Sequence, residues 1–222
     1  YRLVTECLGL RRLRLVLGFS MGGMHAWLWA VRYPGFMDGV VPLACQPGPM
    51  AGRNWLMRRM LIDSVRKDPA WLGGFYTRQP ELFRAVNVFF SMATNGGDLA
   101  LYSRAPDREK ADALYDAMVA ATTAMDANDF LYQWDASRDF DPTPGLGAVT
   151  ARVLAVNSQD DERCPPETGV MERALARVPS AAYHCIPTGE ETRGHGTTMN
   201  AALWKDRLAA FLRELPPFSL GV

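Results

Sequence analysis

Residues 12–23 read Arg-Leu-Arg-Leu-Val-Leu-Gly-Phe-Ser-Met-Gly-Gly, and their reading decides the fold. Arg12–Phe19 reads as a basic start and then an apolar strand. It ends in Gly18-Phe19-Ser20-Met21-Gly22, a G-x-S-x-G pattern. Met24–Tyr33 then carries Ala26, Trp27, Ala30 and Val31 at helical spacing, and Pro34-Gly35 stops it. Asp38–Cys45 is the next short apolar segment. Strand, tight glycine turn, helix, strand is a βαβ unit and therefore predicts a parallel sheet.

Working outward, Tyr1–Gly9 reads as the end of an amphipathic helix that enters the first strand. Beyond Cys45 the texture changes. Helical patterns occupy Asn54–Lys67, Gln79–Thr94 and Arg108–Met125, with dense aromatics (Trp55, Trp71, Phe83, Phe89, Phe90, Tyr115) and no strand signal. A connection of this length exceeds an ordinary loop and predicts a helical cap over residues 47–146. The aromatics are expected to form that cap's core, with the alternative that a few line an acyl pocket. Sheet texture returns at Ala151–Asn157. A helix follows at Pro166–Arg177, a short strand at Ala181–Ile186 and a last helix at Ala201–Leu215. Residues 1–46 and 147–222 thus predict one α/β core interrupted by the cap.

Composition narrows the function. The 222 residues are 48% hydrophobic and 22% charged, an ordinary globular balance. Lys+Arg and Asp+Glu are 24 each, so there is no basic excess for a nucleic-acid partner. No apolar run reaches the roughly 18–20 residues of a membrane span. Cys7, Cys45, Cys164 and Cys185 show no zinc-ligand spacing, and no metal is expected. They read as free thiols, with a Cys164–Cys185 bridge the alternative. Compartment is left open between cytoplasm and export.

The chemistry concentrates on Ser20. In a strand-turn-helix context, G-x-S-x-G is a nucleophile elbow: the serine stands on a strained turn, and small neighbours two before and two after let the backbone cross. The helix start aims free N–H groups at the reacting centre, and the N–H of Met21 is one oxyanion donor. A dinucleotide loop would need G-x-G-x-x-G, which is absent. Serine requires a base. His25 lies on the elbow helix and turns away, and His184 lies within a strand. His195, between Gly194 and Gly196 after the last strand, is the expected base. The acid should fall between them after a strand, at Asp160 or Asp161, unless both merely cap the following helix. The order Ser, Asp, His is that of α/β-hydrolases.

The stretch "GFSMGGMHAWLWAVRYPGFMD" (residues 18–38) and Asp126–Asp141, "DANDFLYQWDASRDFD", resemble the homoserine O-acetyltransferase-like branch of the α/β-hydrolase superfamily. The resemblance runs over nearly the whole chain. It implies an α/β-hydrolase fold with a helical cap. In that branch the acidic loop reads Asp, three residues, Pro. Asp161 has this spacing to Pro165, which prefers it over Asp160. The resemblance also implies an Arg two residues before Asp-Ala-Asn and an Asp after the histidine, suited to an amino-acid acceptor. Here those positions are Ala124 and Gly196. Loss of two charged anchors argues against homoserine, although Arg193 or Arg138 could replace one of them.

The expected function is therefore a serine esterase acting on a small ester or acyl compound, with water as acceptor and no cofactor. An acetyl-CoA-dependent O-acyltransferase is the alternative, and a non-catalytic binding protein a second. The other oxyanion donor normally comes from an earlier loop. The chain is accordingly expected to match the C-terminal two-thirds of a complete member, without its N-terminal strands. A separate N-terminal fragment and a homodimer are the compatible protein partners.

Overall fold

The computed structural model describes residues 1–94 and 96–217. Four parallel strands form one sheet in the order β1 (Leu13–Phe19), β2 (Met37–Leu43), β3 (Arg152–Ser158), β4 (Ala181–Ile186). The strand order equals the chain order, as successive right-handed crossovers produce. β2 is buried at every position, the signature of a central parallel strand covered on both faces.

Alternation along the strands divides the core. Val40, Val153 and Ala155 face a cluster with Trp27 and Ala30 of α1 (Met21–Arg32) and Met171 of α7 (Val170–Leu175). Val41, Leu154 and Val156 face Phe211 and Leu215, in and just beyond α8 (Lys205–Glu214). The basic start of β1 also has a partner. Asp38 is 5% exposed and accepts from Arg12 Nε at 2.7 Å and Arg14 Nη1 at 3.0 Å, which ties the edge strand to β2.

Between β2 and β3 the chain forms α2 (Gly52–Arg66), α3 (Leu82–Thr94), α4 (Asp98–Arg104), α5 (Arg108–Ala121) and α6 (Ala127–Asp135). Leu61, Ile62, Phe83, Phe90, Phe130 and Leu131 make a separate buried cluster there.

Several helix ends differ from the periodicity reading, each for a local reason. The helix expected over Gln79–Thr94 begins at Leu82, where the Asp68 carboxylate accepts from the Glu81 and Leu82 N–H groups. The pattern Arg108–Met125 stops at Ala121, because the Thr122 and Thr123 hydroxyls bond back to Val119 and Ala120 carbonyls. The helix expected over Pro166–Arg177 is split by Gly169 at φ 62° into a 3₁₀ turn and α7. The last helix starts at Lys205, after a 3₁₀ turn. Tyr1–Gly9 holds one π-helical turn, Leu3–Cys7.

The Asp-Ala-Asn motif is a cap in the strict sense. The Asp126 carboxylate accepts from the N–H groups of Asn128 and Asp129, from the Tyr76 hydroxyl and from Gln79. Asn128 in turn accepts from the Trp71 indole and donates to the Gly74 carbonyl. The Tyr76 hydroxyl, with these N–H donors, holds the Asp126 carboxyl below its ordinary range. A carboxyl lowered on folding contributes stability above its unfolded value and loses it as pH falls through the folded one. Asp126→Ala is expected to cost about 2 kcal/mol at neutral pH. The difference should shrink on acidification, read by urea unfolding at pH 7 and pH 3. A cost below about 0.5 kcal/mol would show the cap to be dispensable.

Candidate active site

Ser20 sits between β1 and α1 at φ 53°, ψ −112°, a left-handed conformation strained for a serine. The turn is crowded on one side. A Cβ at Gly18 would lie 2.1 Å from the Gly22 carbonyl oxygen, and one at Gly23 would lie 2.6 Å from Cys45 Cβ. A Cβ at Gly22 meets nothing among the described residues. The steric demand therefore falls on positions 18 and 23, rather than on the two positions flanking the serine symmetrically.

His195 lies in the loop after β4, 3% exposed. Its Nε2 is 2.9 Å from Ser20 Oγ. Its Nδ1 is 3.0 and 3.1 Å from the two oxygens of Asp161, which is 1% exposed. Asp161 Oδ1 also accepts from the N–H groups of Arg163 and Cys164, at 2.9 and 3.0 Å. The carboxylate is thus fixed from behind while it faces the imidazole. Serine, histidine and aspartate form one hydrogen-bonded chain, an arrangement that fits a triad. Nδ1 beside a carboxylate keeps its proton and leaves Nε2 to accept from the serine.

Asp160 stands apart from the imidazole. It accepts from the Ser158 hydroxyl and, through Oδ2, from the Gly194 N–H at 3.1 Å. Glu162, unremarked in the sequence reading, accepts from the His195 N–H at 3.1 Å and from the Gly97 N–H at 2.8 Å. Three consecutive acids after β3 therefore hold the histidine loop, one at the ring and two at its backbone. Only the run of three carboxylates hinted at this.

The other expectations resolve as follows. His25 is exposed on α1 and His184 is half-buried in β4; neither meets Ser20. Arg193 is exposed and donates to the Glu190 and Thr192 carbonyls, while Arg138 pairs with Asp135. All four cysteines are free; Cys164 points its thiol at the Ala44 carbonyl, so the alternative bridge to Cys185 is not formed. Asp161, Cys164 and His195 place donor atoms within 4.8 Å of one another. Burial pushes the Cys164 thiol well up, which keeps it a poor metal ligand, and the other two donors are engaged with each other.

Ser20 and His195 open on a pocket of about 200 Å³ lined by Met24, Ala44, Met50, Pro165 and Val170 among others. The aromatics form the cap's own core, as expected, and the alternative that some line the pocket fails: none is among its lining residues. Phe83 and Phe90 are buried in the helical cluster, and Phe75, Phe89, Tyr102 and Tyr115 are exposed. Three arginines of the lining were missed in the sequence: Arg53, which stays exposed, and Arg58, on α2, and Arg163, which are turned inward. Charged residues inside helical or loop patterns read as solvated, and only the tertiary packing turns the latter two inward.

A parallel α/β sheet carrying serine, aspartate and histidine in that order defines the class of serine-triad α/β proteins. The match of residues 1–191 to the family model described as alpha/beta hydrolase fold identifies it: the chain belongs to the α/β-hydrolase family. Within it, the chain is 29% identical to a homoserine O-acetyltransferase of Symbiobacterium thermophilum, over 96% of this chain and 62% of that protein. In fold it resembles a homoserine O-acetyltransferase from Bacillus anthracis (TM-score 0.81, 21% identity, 97% of this chain and 64% of that one). It also resembles an acetylester hydrolase from Corynebacterium glutamicum (TM-score 0.77, 22% identity, 96% and 64%). The chain spans just under two-thirds of the length of these relatives. The homoserine O-acetyltransferase-like resemblance thus holds over the chain, and its neighbours include both transferases and esterases. Among the described residues no helix is long and apolar enough to cross a membrane.

Proposed function

We propose that the protein is a serine esterase acting on small esters through a covalent acyl-enzyme. The observation that carries this reading is the hydrogen-bonded chain Ser20–His195–Asp161 opening on a small, mainly apolar pocket. Ser20 Oγ attacks the ester carbonyl carbon while His195 Nε2 takes its proton. The oxyanion is met by the Met21 N–H at the start of α1. Collapse breaks the bond to the alcohol, which leaves with the proton from His195. Water then attacks the acyl-serine, His195 takes its proton, and the acid is released with Ser20 restored. Asp161 holds the imidazole and stabilises its charged form. These steps consume no cofactor.

The acceptor decides between hydrolase and transferase. The positions where the resemblance implies acceptor anchors are Ala124 and Gly196, and Ala124 is exposed just beyond α5, away from the pocket. An amino-acid acceptor would leave its charged ends without these partners, which supports water. The second reading, an O-acyltransferase using acetyl-CoA, is favoured by the similarity to homoserine O-acetyltransferases. The complete polypeptide carrying this chain, assayed with p-nitrophenyl acetate and separately with acetyl-CoA plus homoserine, tests the choice. Steady ester hydrolysis with negligible thiol release is expected. Rapid CoA release that requires homoserine would establish the transferase, and absence of fluorophosphonate labelling at Ser20 would leave a binding protein.

A further inference from the structure

We infer that the pocket beside Ser20 is built for a small ester that itself carries a carboxylate, held by the guanidinium of Arg58. The inference deepens the esterase reading and rests on it for the chemistry, while the binding it claims can be measured without turnover.

Arg58 lies on α2 and is 5% exposed, yet it lines the same pocket as Ser20 and His195. Two edges of its guanidinium are occupied. Nε donates to Asn54 Oδ1 at 2.8 Å, and Nη1 donates to the Ser137 hydroxyl at 2.6 Å, with the Trp134 ring beneath at 4.9 Å. Nη2 has no hydrogen-bond partner among the described residues. These contacts hold two edges of the fork and leave one amino group without a hydrogen-bond partner among the described residues.

No carboxylate forms a direct ion pair with Arg58 among the described residues, and the thiols of Cys45 and Cys164 lie in its surroundings. Burial pushes both thiols far up, so both stay neutral. Arg163 brings a second guanidinium to the same lining, stacked over Phe90 at 4.5 Å. Burial first, and then repulsion from Arg58, lowers it to about 10. The nearby carboxylates Asp161 and Glu162 oppose the Arg163 charge through space, but neither hydrogen-bonds to Arg58. Asp161 holds His195 and two N–H groups, and both Glu162 oxygens accept from backbone N–H groups. A buried cation is ordinarily paired, because leaving water is costly. Here Arg58 lines the space where substrate must sit, and a ligand carboxylate at its unbonded amino group would make the charge-assisted bond the protein does not. This site is distinct from the acceptor anchor of the resemblance: Arg58 comes from α2, and Ala124 lies outside the pocket.

The test uses the complete polypeptide with Ser20→Ala, which binds without turning over. Calorimetry compares monomethyl succinate with dimethyl succinate, and acetoxyacetate with methyl acetoxyacetate, which places the carboxylate on the acyl or the alcohol side. At least one acid ester is expected to bind about tenfold or more tighter than its neutral partner, and Arg58→Met should abolish the difference. Arg58→Lys, which keeps the charge without the fork, should reduce it and guards against misfolding of the methionine variant. Equal affinities for acid and neutral esters in both pairs would overturn the inference, even if neutral esters are hydrolysed. So would a preference that survives in both Arg58 variants. Arg58-dependent binding of the acid ester without turnover in the unsubstituted protein would uphold the anion site and defeat the esterase reading instead.

Discussion

Replacing Ser20 by alanine is expected to lower ester turnover by several decades, on the order of 10⁴ to 10⁶, and to abolish fluorophosphonate labelling. The hydroxyl is the attacking group, and His195 Nε2 at 2.9 Å has no other nucleophile to activate within the chain described. The fold should persist, because the side chain is small and half-buried and, among the described residues, makes no hydrogen bond besides that to the histidine. Alanine tolerates the strained backbone no better than serine, so unfolding midpoints should differ little. Turnover within tenfold of the original, in a protein that unfolds normally, would remove Ser20 from the mechanism.

The second large effect separates two adjacent aspartates. Asp161→Asn should lower turnover by on the order of 10⁴, because an amide can donate to the imidazole and so favour the wrong tautomer. Its oxygen would still accept from the Arg163 and Cys164 N–H groups, which keeps the loop in place. Asp160→Asn should cost about tenfold or less, since Asp160 reaches only the Ser158 hydroxyl and the Gly194 N–H, and an amide oxygen can still accept from one of them. The reverse ranking would mean that the register of the acidic loop in solution differs by one residue. The two variants also test what the acids share. If Asp160 and Glu162 act by holding the backbone of the histidine loop, their loss should raise the mobility of residues 193–196 without changing the pH dependence of the remaining rate.

How much of this was legible beforehand follows from the range of each interaction. The turn at Ser20 was readable because its cause is local: a strand period, a glycine whose Cβ would collide with the backbone four residues on, and a helix period after it. The chain order that pointed to His195 and to Asp160 or Asp161 is likewise a property of linear sequence, given the fold, and the spacing to Pro165 in the resemblance preferred Asp161. The helix ends were less legible, because capping depends on which side chain turns back. Asp68 stops α3 from starting early, and Gly169 splits a segment whose periodicity looked continuous. The aromatics were legible only in part. Their density marked a core, but density carries no direction, and that core packs on itself rather than on the pocket.

By itself, then, the sequence determined the parallel α/β arrangement, the strained serine turn and the candidates for its partners, since each rests on periodicities and contacts within a few residues. Tertiary structure alone decided that Asp160 and Glu162 hold the backbone of the His195 loop while Asp161 holds its ring, and that Arg58 and Arg163 turn into the pocket. The physical reason is that a charged side chain in a helical or loop pattern looks the same whether it faces water or a cavity. Its direction is set by packing against elements far away in the chain, here Trp134, Ser137 and Phe90, which cover the guanidinium groups and take them out of solvent.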